Sequence, residues 1–266
     1  MYGKVNKVKS ALAEGRVALG TWVQMPSPEI VEAIGYQGFD YVIIDLEHGG
    51  FGLDTLPSMV RAAEAAGVTP IVRVPILEES IILWVLNTGA MGVQIPGIST
   101  REQAEQAVRF AKYYPEGTRG ANPWVRSTQY NVSDWGAYTK RSNKETMVWL
   151  MVEGKEGIEN FDEILEVPNI DAIVPGRFDI SQSLGIPGQV DHPMLLETVK
   201  KMVEKAKQKN IETLVSLLSE VTQPEIEQSV KMWHDCGVNI MSVMGDRGVI
   251  CTGFKNCLAY AKQGLT

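Results

Sequence analysis

Eight short apolar runs recur along this chain, each separated from the next by enough residues for a helix. They are VALGTWV (17–23), DYVIIDL (40–46), PIVRVP (70–75), MGVQIP (91–96), MVWLMVE (147–153), DAIVPG (171–176), ETLVSL (212–217) and NIMSVMG (239–245). Without apolar/polar alternation, both faces of each run must be buried. Strands of a parallel sheet covered by helices meet that demand.

Helix signals fill the intervals. Ser27, followed by Pro28 and Glu29, offers an N-cap, a proline at the first helical position and an acid in the first turn. STREQAEQAVRFAKYY from Ser99 and HPMLLETVKKMVEKAKQ from His192 carry apolar residues at helical spacing. Eight such units predict an α/β fold of the (β/α)8 TIM-barrel type, with a doubly wound sheet as the competing arrangement. No repeat, low-complexity tract or linker divides the chain, so residues 1–266 are expected to form one domain. The longest irregular piece, about Pro115 to Ser133, reads as a lid or a subunit contact.

Net charge of -7 and a pI near 5.2 argue against a nucleic-acid surface and favour small molecules or proteins as partners. The opening residues MYGKVNKVKSALAEGR lack a signal-peptide core, and no run approaches the roughly 18 apolar residues of a membrane span. A cytoplasmic protein without membrane contact is expected. Cys236, Cys251 and Cys257 are odd in number and lack CxxC spacing, so they read as buried packing thiols.

In a barrel the chemistry sits where strands finish. The second strand ends in Asp45, Glu47 and His48, the third carries Arg73, the fifth ends at Glu153, and the sixth runs into Asp179 through PGRFD. Glu153 could instead cap a helix, and Asp179 could be an N-cap. Two carboxylates on neighbouring strand ends repel unless a cation or proton separates them, and two carboxylates plus waters suit magnesium or manganese. An Asp three residues before His48 could orient its imidazole as a general base. Arg73, in an apolar strand, needs an anion beside it. His192, at a helix start, and His234, in KMWHDCG, read as helix-surface residues.

Neither GxSxG nor a P-loop pattern occurs, and no strand run contains the lysine of a Schiff-base aldolase. Metal-supported carbanion chemistry remains.

The segments LGTWVQMPSPEIVEAIGYQGFDYVIIDLEHGGF, TPIVRVP, YYPEGTRG, MVEGKEGIENFDEIL and VPGRFDISQSLGIPGQVDHP resemble the HpcH/HpaI aldolases, class II enzymes of the phosphoenolpyruvate-binding barrel superfamily. The resemblance implies reversible cleavage of a 4-hydroxy-2-oxo acid to pyruvate and an aldehyde. It implies Glu153 and Asp179 as ligands of a divalent ion (Mg2+, Mn2+ or Co2+), and His48 with Asp45 as a proton-transfer dyad. Arg73 would steady the keto oxygen, backbone amides near Arg177, Phe178 and Asp179 would take the pyruvate carboxylate, and Trp22 would line the pocket. A hexamer built from dimers with exchanged terminal helices is also implied. The chain departs from familiar members at Met151, where a glutamine often stands, and at Arg177 and Phe178. Its alternatives are a superfamily lyase acting on a CoA thioester and a silent 2-oxo acid binder.

Overall fold

The computed structural model describes residues 5–265. Eight parallel strands close into a barrel in sequence order: β1 (Ala18–Val23), β2 (Tyr41–Asp45), β3 (Thr69–Arg73), β4 (Gly92–Ile95), β5 (Met147–Val152), β6 (Ala172–Pro175), β7 (Glu212–Leu217) and β8 (Ile240–Gly245). Each lies within the run that predicted it, except that β3 begins one residue earlier, at Thr69. Helix α1 (Lys7–Ala13) precedes the barrel, and α2 (Pro28–Tyr36), α3 (Leu56–Ala65), α4 (Glu79–Asn87) and α5 (Arg101–Ala111) follow the first four strands. Then come α6 (Trp135–Glu145), α7 (Lys155–Glu159), α8 (Phe161–Ile164), α9 (Arg177–Ser183), α10 (Pro193–Gln208), α11 (Gln223–Asp235) and α12 (Asp246–Gln263).

The Ser27 hydroxyl caps α2 at the Ile30 amide, and the His192 Nδ1 accepts from Met194 at the head of α10. The cap of α5 is Thr100, one residue past the serine that opens its segment. It makes a reciprocal capping box with Gln103, which holds two first-turn donors at once.

Strand residues pointing inward form one core, with Tyr41, Ile43, Ile71, Trp149, Leu214 and Ile240 fully buried. Those pointing outward meet the helices in a second, larger core. Gly20 makes the first possible: a Cβ there would stand 2.4 Å from the Tyr41 ring, which instead meets Trp149 edge-on at 5.3 Å. Helix α1 stoppers the N-terminal end of the barrel. Asn6 accepts from Val8 at its cap and donates to the carbonyls of Met91 and Glu145, ahead of β4 and β5.

The 115–133 segment runs from the end of α5 back toward β5 and lies at this same N-terminal end. Arg126 shows where: it pairs with Glu64 at 2.7 Å and donates to the Thr88 carbonyl, both near the C-terminal ends of helices. The segment therefore does not cover the mouth of its own barrel, which corrects the reading of it as a lid.

Helix α12 leaves β8 and keeps only Asp246 buried. Phe254 (72%), Leu258 and Tyr260 stand exposed along it, as do Cys251 and Cys257. Those two thiols are thus surface groups, against expectation, because their helix finds no layer to pack on. No helix among the described residues is long and apolar enough to cross a membrane.

Candidate active site

Register brings the first charges together. Asp45 and Arg73 close β2 and β3 and are paired across the sheet. The guanidinium grips the carboxylate with both forks, Nε to Oδ1 at 2.9 Å and Nη2 to Oδ2 at 2.7 Å. Burial alone would raise the Asp45 pKa, but the bonds and charge of Arg73, helped by Gln24 Nε2 at 2.8 Å, hold it below the ordinary value. Asp45 Oδ1 also accepts from the backbone amides of Glu47 and His48, which fixes the turn after β2.

Asp45 therefore reaches His48 through its main chain and does not touch the imidazole. The ring stands 67% exposed, and its nearest carboxylate is Glu47, whose Oε2 lies 4.0 Å from Nε2. The expected dyad contact is absent because Arg73 already occupies the carboxylate. Glu47 Oε2 also stands 2.8 Å from Arg73 Nη1, so Glu47 links guanidinium and imidazole. Sequence reasoning named Glu47 among the strand-end acids but gave it no role. Its position two residues past Asp45 was the available signal.

Arg73 lies 4.5 Å above the centre of Trp22, whose Nε1 is anchored to the hydroxyls of Ser216 (3.2 Å) and Ser242 (3.0 Å). Of five guanidinium N–H groups, two are bonded to Asp45 and one is turned toward Glu47. A fourth is turned toward the Met151 sulfur, Nη1 to Sδ at 3.9 Å, and the remaining N–H on Nη2 stays available for a ligand.

Across the mouth, Glu153 follows β5 and Asp179 sits in the first turn of α9. Neither is a cap: Gly154 precedes α7 and Gly176 precedes α9. Gly176 leaves the space that Glu153 fills, since a Cβ there would meet Oε2 at 2.5 Å. Glu153 Oε1 accepts from the Gly97 amide at 3.0 Å. Burial, then repulsion from Asp179, pushes the Glu153 pKa up. Burial likewise raises Glu47, with Asp45 and Asp179 adding to it against the opposing pull of Arg73 and His48.

Four carboxylates thus share the mouth with one braced arginine, and that surplus of negative charge suits a bound cation. Among the described residues no cluster of three or more His, Cys, Asp or Glu is arranged as ligands. Two carboxylates, with water or a chelating substrate completing the shell, are what a small hard ion such as magnesium takes. Glu153 and Asp179 fit that group.

The cavity over these residues holds about 500 Å³, and Trp22, His48, Arg73, Asp179, Phe178 and Leu218 are on its wall. Phe178 is exposed at the rim. Arg177 lines the cavity, but its guanidinium is turned beneath the loops, donating to the carbonyls of Ser216 and Val190 and standing 3.6 Å from Glu220. Met151 is met from β4 by fully buried Gln94, whose Nε2 is 2.9 Å from the sulfur while its Oε1 has no partner. The start of α12 closes the remaining side. Asp246 Oδ2 accepts from the amides of Gln24 and Met25, and Arg247 donates to the carbonyls of Gln24 (3.0 Å) and His48 (3.2 Å).

An acid-rich mouth with one clamped arginine, on the C-terminal rim of a closed parallel barrel, defines a barrel enzyme of the metal-assisted lyase class. Residues 18–245 match the HpcH/HpaI aldolase/citrate lyase family, and the chain belongs to that family. The 5-keto-4-deoxy-D-glucarate aldolase of Escherichia coli O157:H7 (strain EC4115 / EHEC) is 31% identical over 245 residues, 92% of either chain. The crystal structure of citrate synthase SbnG superposes with a TM-score of 0.86 at 33% identity, covering 97% of this chain and 98% of that one. An HpcH/HpaI aldolase from Desulfitobacterium hafniense DCB-2 gives a TM-score of 0.88 at 28% identity over 96% of each. The chain is accordingly an enzyme, an aldolase-type carbon–carbon lyase.

Proposed function

We propose that this enzyme cleaves a 4-hydroxy-2-oxo acid reversibly to pyruvate and an aldehyde. The observation that carries the reading is the gathering of Glu47, Glu153 and Asp179, with their mutual repulsion, opposite an arginine clamped by Asp45. The similarity to a 5-keto-4-deoxy-D-glucarate aldolase supports a sugar-acid-derived substrate.

Glu153 and Asp179 would hold a divalent ion (Mg2+, Mn2+ or Co2+), which when bound supplies Lewis acidity to the 2-oxo group. The free Nη2 N–H of Arg73 donates to the C2 oxygen as it gains negative charge, from a guanidinium whose position Asp45, Glu47 and Trp22 fix beforehand. His48 takes the C4 hydroxyl proton while the C3–C4 bond breaks, with Glu47 beside the ring to favour the imidazolium that forms. The His48 imidazolium then gives that proton back to C3, which becomes the methyl group of pyruvate and leaves the base neutral for the next cycle. The amides of Arg177, Phe178 and Asp179 open α9 without carbonyls behind them and are the donors assigned to the substrate carboxylate.

The exposed apolar residues of α12 support a homo-oligomer in which another copy covers them, a hexamer with exchanged helices by family resemblance. The acidic charge and unpaired thiols support a cytoplasmic location. Identity to a citrate synthase favours one second reading, in which the chain forms rather than cleaves a carbon–carbon bond.

The deciding experiment is pyruvate release from a panel of 4-hydroxy-2-oxo acids, using chelator-treated protein with magnesium, manganese or cobalt restored. Metal-dependent release is expected. Folded protein that releases no pyruvate with any metal, yet condenses a 2-oxo acid with a thioester, would move the assignment to the synthase reading.

A further inference from the structure

Among the described residues three arginines are buried, and two of them have carboxylate partners: Arg73 with Asp45 and Glu47, Arg177 with Glu220 and Asp191. Arg119 has none among the described residues. It is only 6% exposed, and its Nε has no hydrogen-bond partner. Its one side-chain bond, from Nη2 to Asn87 Oδ1, is long at 3.4 Å, and its other support is the ring of Tyr113 at 4.6 Å. Burial pulls its pKa down, and the opposing groups are the hydroxyls of Tyr113 and Tyr138 rather than acids. A guanidinium removed from water without a counter-charge is costly, so such a group persists where an anion completes it.

The space for that anion lies alongside. A cavity of about 90 Å³ sits at the N-terminal end of the barrel, opposite the mouth, with Arg119, Arg141, Ser127, Gln129, Ser142 and Tyr138 on its wall. One water needs roughly 10–15 Å³, so the cavity holds several waters or one small polyatomic ion. The Arg119 guanidinium, the hydroxyls of Ser127 and Ser142 and the Gln129 amide offer donors to the cavity, the chemistry that recognises oxyanions. The single acid on the wall, Glu145, has its Oε2 engaged by the Asn6 amide at 2.9 Å.

We propose that this cavity is a binding site for a small oxyanion, phosphate or carboxylate, which completes Arg119 and ties the 115–133 segment and α6 to the base of the barrel. Because it lies at the end away from the chemistry, its occupancy is read in stability rather than turnover.

The test is thermal unfolding of the full chain in inorganic phosphate, in acetate and in chloride at matched ionic strength. Phosphate or acetate, whichever is the ligand class, should raise Tm saturably by about 3 °C beyond chloride. Arg119→Gln should abolish that rise while keeping turnover, whereas Arg73→Lys, which alters the mouth, should keep the rise. If Arg119→Gln does not fold, the pair Gln129→Ala and Ser142→Ala should each weaken the anion at least tenfold. Equal rises in all three salts, or a rise that survives these wall substitutions, would overturn the site.

Discussion

Arg73 shows how much of the chemistry rests on single contacts. Lysine cannot reproduce its two-pronged grip on Asp45. Arg73→Lys is expected to lower kcat/KM for pyruvate release by about 10²–10³ while the far-ultraviolet spectrum stays unchanged. Near-normal turnover in that variant would remove Arg73 from the mechanism. Asp45→Asn leaves the buried guanidinium with Glu47 alone and should cost roughly 3 kcal/mol in urea unfolding. The sign of the pH effect follows from the lowered Asp45 pKa: its stabilisation is complete above the unfolded value near 4 and is lost as pH falls through the lower folded value. Wild-type stability should thus fall below about pH 4 with a step that Asp45→Asn lacks. An identical acid limb in both proteins would refute the pairing as a source of stability. At this scale the sequence was legible for residue types and strand ends, because a charge closing an apolar strand is conspicuous. It was not legible for partners. Whether Asp45 meets His48 or Arg73 depends on the β2–β3 register, a tertiary fact, and a spacing of three residues could not reveal it.

The strands were the most readable elements, since burial on both faces leaves only apolar residues able to occupy them. Gly20 carries a sharper message than its run suggested. Gly20→Ala would press a methyl group into the Tyr41 ring and should cost about 1–3 kcal/mol, seen as a lower Tm. An unchanged Tm would mean that the interior has slack the contact distance does not show. The ends of the helices were less readable. The 115–133 segment leaves the C-terminal end of α5, so chain polarity starts it at the base of the barrel before α6 leads into β5, a step that length-based reasoning skipped. Helix α12 was hidden for another reason: its apolar residues are scattered around it and match no layer within one chain. Phe254→Asp together with Leu258→Asp should reduce the particle mass measured by light scattering after size exclusion. An unchanged mass would deny α12 a role in assembly.

Taken whole, the molecule concentrates opposite electrostatic problems at its two ends, surplus carboxylates at the mouth and an uncompensated arginine at the base. The mouth should therefore respond to cations as a unit. At a hundredfold excess over its Kd, magnesium or manganese should stabilise the fold by about 2.7 kcal/mol, reversibly with chelator. Glu153→Gln should erase that gain, and a full gain in the variant would exclude Glu153 as a ligand. Between the two ends, one connection joins assembly to chemistry. Asp246 and Arg247 hook the loop after β1 and the carbonyl of His48 to the first turn of the helix with the least support of its own. The imidazole is thus moored to a boom that swings free of the hull, and dilution that strips α12 of its cover should slow turnover before any secondary structure is lost.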